Sequence, residues 1–169
     1  MERERARERE PEAKVEAHYE QQLKRWERRV QEARAVRRVV ARGNELALEP
    51  SSKRGTLQTM VIGGKDFPSY VLDARVVEIP PGAHTSTHRH LADALMFIIR
   101  GTGYSLVEGQ RYDWEEKDSL HIPSWTWHQH WNLDSEVPAR YLAVTIDPWL
   151  RALRLSRLED GGDAPNQEP

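Results

Sequence analysis

The sequence predicts an all-β domain, a sandwich or barrel, with one helix before it and a short helix after it. Three observations carry this. Between Thr56 and Ile146 the apolar residues fall in nine short β-type runs punctuated by turns, with no helix-length periodicity inside. Ahead of that stretch, apolar residues recur at steps of three, four or seven, the mark of a helix. Behind it, Asp147-Pro148 offers a natural N-cap and first helical residue.

Taken in order, residues 1–11 alternate Arg and Glu up to Pro11 and are too polar to pack, so a disordered start is expected. From Glu12 to Ala41 the stripe Val15, Tyr19, Leu23, Trp26, Val30, Ala33 and Val40 predicts a helix that Gly43 and Asn44 end, giving a helical segment over 12–44. The plainer reading docks that stripe on its own domain. The alternative docks it on a second subunit, because Tyr19, Trp26, Ala33 and Val40 share one heptad position. The barrel is expected over 45–146, with strands at 56–62, 70–79, 87–90, 95–100, 104–107, 110–114, 119–122, 126–132 and 140–146. Glu108 and Gly109 read as a hairpin tip. Residues 147–158, with Leu150, Leu153 and Leu158, are expected to be the C-terminal helix, and 159–169 a disordered tail.

Composition narrows the function. At 169 residues and 38% hydrophobic, the chain can bury one core. Twenty-five basic against 27 acidic side chains argue against a nucleic-acid partner, and a lone helix makes no helix-turn-helix. With no cysteine, disulfides and thiolate chemistry are excluded, so any metal must sit on nitrogen or oxygen. Apolar runs of only a few residues and a charged start predict a soluble, cytoplasmic protein with no membrane partner.

Six of the seven histidines lie between His84 and His130, four of them in two His-x-His pairs, His88/His90 and His128/His130. Residues two apart on a strand share a face, so each pair presents two imidazoles together. Two such strands can supply the three or more nitrogens that iron, zinc, copper or nickel accepts. One isolated pair would be chance surface histidines more often than not. Two pairs within a Gly/Pro framework are not.

That framework resembles the cupins. Gly82, His88, His90 and Gly101 stand at the spacing of the first cupin motif, and Pro123, His128 and Asn132 at that of the second. Seven positions agree in order and interval, within residues 75–146, and three depart: Ala94 for the motif's glutamate, Lys117 and Trp125 for its glycines. The string Pro123-Ser124-Trp125-Thr126-Trp127-His128-Gln129-His130, with Ala94-Leu95, is similar to one branch, the gentisate, salicylate and 1-hydroxy-2-naphthoate 1,2-dioxygenases. The resemblance implies a double-stranded β-helix, or jelly-roll, barrel in its single-cupin form. It also implies a metal held by His88, His90 and His128, with iron(II) expected and other divalent first-row ions possible. Ala94 removes the fourth protein ligand common in other cupins and leaves coordination positions open to substrate and dioxygen.

In the branch, an arginine six residues after the second histidine holds the substrate carboxylate. Here that residue is Met96. Alternation puts Ala94, Met96 and Ile98 on the metal's side, so Met96 and Ile98 are candidate substrate contacts, Met96 equally ordinary core filling. A bound carboxylate would lose its bidentate partner there, which argues against gentisate itself as the substrate unless Arg75 or Arg100 replaces that partner. His130 shares a face with His128. The resemblance gives it contact with the substrate hydroxyl and the part of general base or oxygen-positioning residue, the alternatives being a fourth ligand or a core histidine. Trp125, Trp127, Gln129 and Trp131 fall on the outward face, where cover is expected from the N-terminal helix or a partner subunit. Asn132 is expected to support a loop or a ligand, while His18, His84 and His121 look incidental.

The resulting expectation is an iron(II)-dependent dioxygenase cleaving a ring or carbon–carbon bond of a phenolic substrate, as a homodimer or higher homo-oligomer. Two other classes are compatible with the same residues. One is a non-catalytic cupin that binds or senses a small molecule; the other is a metal-dependent isomerase or lyase.

Overall fold

The computed structural model describes residues 2–35, 39–51, 55–64 and 67–163. The chain divides into two units, 1–39 and 40–169. In the first, helix α1 runs Glu2–Ala35. It therefore continues through the segment expected to be disordered, in keeping with the good helix propensity of Arg and Glu. At its other end, the helix expected to reach residue 44 stops earlier, since residues 39–42 are not helical and residues 43–45 form one 3₁₀ turn. Tyr19 and Trp26 of the α1 stripe are exposed.

The second unit is built from β1 (Glu49–Pro50), β2 (Leu57–Ile62), β3 (Asp73–Ile79), β4 (Thr87–His90), β5 (Ala94–Arg100), β6 (Gly103–Val107), β7 (Gln110–Trp114), β8 (Ser119–Ile122), β9 (His128–Asn132), β10 (Ala139–Thr145), helix α2 (Asp147–Ala152) and β11 (Leu158–Gly162). Two antiparallel sheets result, ordered β1-β2-β3-β10-β5-β8 and β11-β4-β9-β6-β7. All nine expected strands form within a few residues of their predicted bounds. Strand β3 begins at Asp73 because the hydroxyl of Ser69 accepts from the amides of Val71 and Leu72 and turns the chain there.

Between the sheets lies a core of Val77, Ile79, Met96, Ile98, Trp114, Ala139 and Tyr141. Every one is an alternate residue of a strand, which is what period-2 patterning demands of an inward face. On the other side of β5, Leu95, Phe97 and Ile99 are exposed. Among the described residues no helix is long and apolar enough to cross a membrane.

The β6–β7 hairpin turns through Glu108 (φ 47°) and Gly109 (φ 77°), the pair of left-handed residues that a two-residue hairpin requires. Lys117 (φ 77°) and Trp125 (φ 62°) are also left-handed. Both stand where the motif that the chain resembles has glycine, and each holds a side chain in a backbone conformation that favours glycine. Lys117 is solvent-exposed and its ion pair with Glu116 is weak. Lys117→Gly should therefore raise stability by roughly 0.5–1 kcal/mol, read as a higher melting temperature.

After β10 the structure departs from expectation. Helix α2 ends at Ala152 rather than near Leu158, and its N-cap is Ile146. The carboxylate of Asp147 does not cap the helix; it accepts from Arg151 Nε and from Ser156 Oγ (2.6 Å). That second bond draws the chain back. The tail expected to be disordered instead forms β11, which pairs with β4 from Leu158↔His90 to Gly162↔Thr87. Arg89 of β4 fastens it, its Nε donating to Glu159 (2.8 Å). The remainder of that tail, 164–169, lies outside the described residues.

Candidate metal centre

Strands β4 and β9 are hydrogen-bonded neighbours, with His88 directly opposite His128. His90, two residues on, shares the His88 face. Their rings meet: His88 and His128 centroids are 4.2 Å apart, His90 and His128 4.8 Å. One nitrogen from each of the three lies within 4.8 Å of the other two. His88 and His128 are buried, His90 half-buried.

The other ring nitrogen decides what these imidazoles can do. Nδ1 of His88 donates to Ser86 O (2.9 Å), Nδ1 of His90 to Ala92 O (2.6 Å), and Nδ1 of His128 to Thr126 O (2.8 Å). A carbonyl only accepts, so in each neutral ring the proton sits on Nδ1 and the Nε2 lone pair faces the common point. His88 Nε2 and His128 Nε2 are 3.1 Å apart. Two lone pairs at that distance repel unless something positive lies between them.

A proton is a poor candidate. Burial, and then the neighbouring charges of His88, His130 and His90, hold the pKa of His128 well below 6.5. A metal cation suits both the lone pairs and the neutral rings, so the residues fit the ion that the motif implies. Among the described residues no carboxylate joins this group.

The lowered pKa has a consequence for the metal-free protein. In the unfolded chain His128 titrates near 6.5, so between that value and its lower folded pKa the unfolded state binds the extra proton. Stability is therefore full above about pH 6.5 and declines as pH falls toward the folded pKa, by up to ~1.4 kcal/mol per pH unit for this one proton. Urea midpoints of chelator-treated protein at pH 8 and pH 5 should differ in that direction.

Beside the imidazoles opens a cavity of about 130 Å³. Ala94, Met96, Ile122, Tyr141 and Ala143 supply its apolar wall. Where the motif has a glutamate, Ala94 offers only a methyl group. Met96 is buried and on the wall, as the alternation of β5 predicts. Ile98, expected there too, is fully buried in the core cluster and is not among the cavity-lining residues.

His130 is buried, lines the cavity and lies 5.6 Å from His128, ring to ring. Its Nδ1 is 2.7 Å from Ser105 Oγ, which also accepts from Trp114 Nε1 (3.0 Å). Ser105 and His130 are register partners across β6 and β9. Sequence reasoning passed over Ser105, and also Tyr141, whose ring meets His130 edge-on at 5.5 Å. Only the pairing of strands brings either residue to the site.

The outward face of β9 is covered largely by the barrel itself. Gln129, expected to point outward, is fully buried and donates to Thr85 O (2.9 Å). Trp131 packs on His84 (4.1 Å) and stacks on Tyr104 (5.7 Å). The Arg89 guanidinium lies 4.5 Å from the Trp125 ring and 4.6 Å from that of Trp127. Asn132 ties a loop, donating to Ile79 O, Pro80 O and Val137 O. His18 and His121 are surface residues.

Residues 75–145 match the family model described as a cupin domain. The barrel has the cupin fold. The curated relatives it matches are named as 1,2-dioxygenases. A 5-aminosalicylate 1,2-dioxygenase of Comamonas sp is 35% identical over 86 residues, 51% of this chain and 22% of the relative. A gentisate 1,2-dioxygenase of Haloferax sp is 29% identical over 121 residues, 70% of this chain and 31% of the relative. The chain thus spans roughly a fifth to a third of the curated relatives it matches. A mutant of the salicylate 1,2-dioxygenase of Pseudoaminobacter salicylatoxidans, in complex with gentisate, shares the fold at TM-score 0.60 and 20% identity, over 85% of this chain and 39% of that one. A cupin-like protein of Thermotoga maritima matches at TM-score 0.56 and 18% identity, over 76% of this chain and 91% of that one.

Proposed function

We propose that this protein is an iron(II)-dependent cupin dioxygenase that cleaves a ring or carbon–carbon bond of a small phenolic or hydroxylated aromatic substrate. The observation that carries the reading is the set of three Nε2 lone pairs, oriented through Nδ1 by main-chain carbonyls, at one end of a ring-sized cavity. A cavity of about 130 Å³ is close to the roughly 150 Å³ that accepts one benzene ring, which favours a single-ring substrate. The curated relatives, all named as 1,2-dioxygenases of gentisate, substituted salicylates or hydroxynaphthoate, point the same way.

His88, His90 and His128 would hold the ion, which when bound supplies Lewis acidity and an electron path between substrate and dioxygen. The chain's own residues do the rest. Ala94 keeps the wall beside the imidazoles clear for a guest. Met96, Ala94 and Ala143 enclose the apolar part of the ring and exclude water from it. His130, its Nδ1 engaged by Ser105, receives the hydroxyl proton of the substrate at Nε2. Homo-oligomerisation through the face that exposes Leu95, Phe97 and Ile99 belongs to the same reading, and sedimentation of wild-type protein against Phe97→Glu tests it.

Metal analysis of freshly purified protein should find iron. Protein loaded with iron under nitrogen and then mixed with oxygenated buffer should consume dioxygen with at least one member of a panel of catechols, hydroquinones, hydroxybenzoates and diketones. Bound metal with no dioxygen consumed by any of them would overturn the reading in favour of a binding cupin or an isomerase.

A further inference from the structure

The arginine that Met96 displaces has a counterpart elsewhere in the same cavity. On β3 the residues Asp73, Arg75, Val77 and Ile79 share one face, and Val77 and Ile79 belong to the core. The Arg75 side chain therefore enters the barrel, where it lines the cavity. Strand register locates it further. Met96 pairs with Ala143 of β10, and Ala143 pairs with Arg75. The three form one row across the sheet, so the Arg75 backbone stands two strands, roughly 10 Å, from that of Met96. The residue between them carries only a methyl group, which leaves room for a ring to lie across.

The guanidinium is held but not saturated. Its Nη2 donates to Asp73 Oδ2 (2.6 Å), and the other oxygen of Asp73 is fixed by the hydroxyl of Thr145. Arg75 Nε is buried with no hydrogen-bond partner among the described residues. A guanidinium has five N–H donors in a rigid fork, and a buried donor left unmatched is costly. Around the cavity the arginines are Arg75, Arg151 and Arg157, against one carboxylate, Asp147. Arg100, the other candidate from the sequence, pairs with Glu78 (3.6 Å) and is not among the cavity-lining residues.

We propose that Arg75 anchors an anionic group and that the substrate is an aromatic or similarly sized acid, its carboxylate held against β3 instead of β5. The proposal rests on reading this cavity as the substrate site, but not on dioxygen chemistry. It is tested by binding, with zinc-loaded protein under nitrogen, of two matched pairs: salicylate against phenol, and gentisate against hydroquinone. Tryptophan fluorescence and calorimetry give the affinities. Each acid should bind about tenfold or more tightly than its uncharged partner. Arg75→Gln should erase that preference, and Arg75→Lys, which keeps the charge without the fork, should retain part of it.

Because Arg75→Gln leaves the buried Asp73 without its cation, the double variant Asp73→Asn/Arg75→Gln repeats the test with a neutral pair, and melting curves report folding. Equal affinities for acid and partner in wild-type protein, no binding of either, or a preference surviving in both the single and double glutamine variants would overturn the proposal. Acid preference without dioxygen uptake would remove the dioxygenase reading and leave Arg75 as the anchor. Uptake with uncharged phenols and no acid preference would do the reverse.

Discussion

His128→Ala is expected to abolish stoichiometric metal binding while leaving a folded barrel. The remaining pair, His88 and His90, lies on one strand with rings 5.7 Å apart. Both keep their carbonyl partners, but two imidazoles are one donor short of the set that makes the site. Removing a group that merely orients a ligand costs 10–100-fold in affinity, so losing a ligand should exceed about a hundredfold. The fold should tolerate the change, because the missing ring relieves the lone-pair contact with His88. Metal content after desalting and competition with a chelator measure the effect, and His121→Ala, at an exposed histidine, is the control. Metal retained by the His128 variant would move the site elsewhere.

Gly103→Ala should lower stability by about 3 kcal/mol or more, among the largest effects of any single methyl group in this chain. A Cβ on Gly103 would stand 2.1 Å from the carbonyl oxygen of Trp131 and 2.3 Å from the Trp114 ring. Gly103 pairs with Trp114 on one side and Asn132 on the other, so the backbone of β9 cannot yield without disturbing its own histidines. If Trp114 moves instead, it draws its Nε1 away from Ser105 and loosens the oxygen that meets His130. The variant should thus show a lower urea midpoint together with altered ligand affinity. Unchanged values of both would contradict the packing described.

The strands and the grouping of three histidines were legible in the sequence because both obey a period of two. His88-x-His90 and His128 needed only alternation and the motif's spacing to be brought to one face. Arg75 carried a fainter signal, a charged residue in step with the inward-facing Val77 and Ile79, yet choosing it over Arg100 required the register of three strands. Strand β11 was not legible. Its sequence, Leu158–Gly162, has no β-branched or aromatic residue, and it is a strand because Asp147 and Arg89 bring it to an available edge. The same lack of local signal hid Ser105, which matters only as the neighbour of His130. Ile98 shares the inward face of β5 with Met96 but lies in the core beyond the cavity, because alternation gives the face of a residue and not its depth.

The three Nδ1 tethers mean that an ion arrives at a finished socket. Loading is then a docking event separate from folding, unlike small zinc domains whose chain collapses only around the metal. Stripped protein should keep its sheets, and ions should exchange by simple dialysis. Which ion is resident becomes a matter of cellular supply and the inherent ranking of imidazole donors, because the socket has the same shape whichever ion enters it.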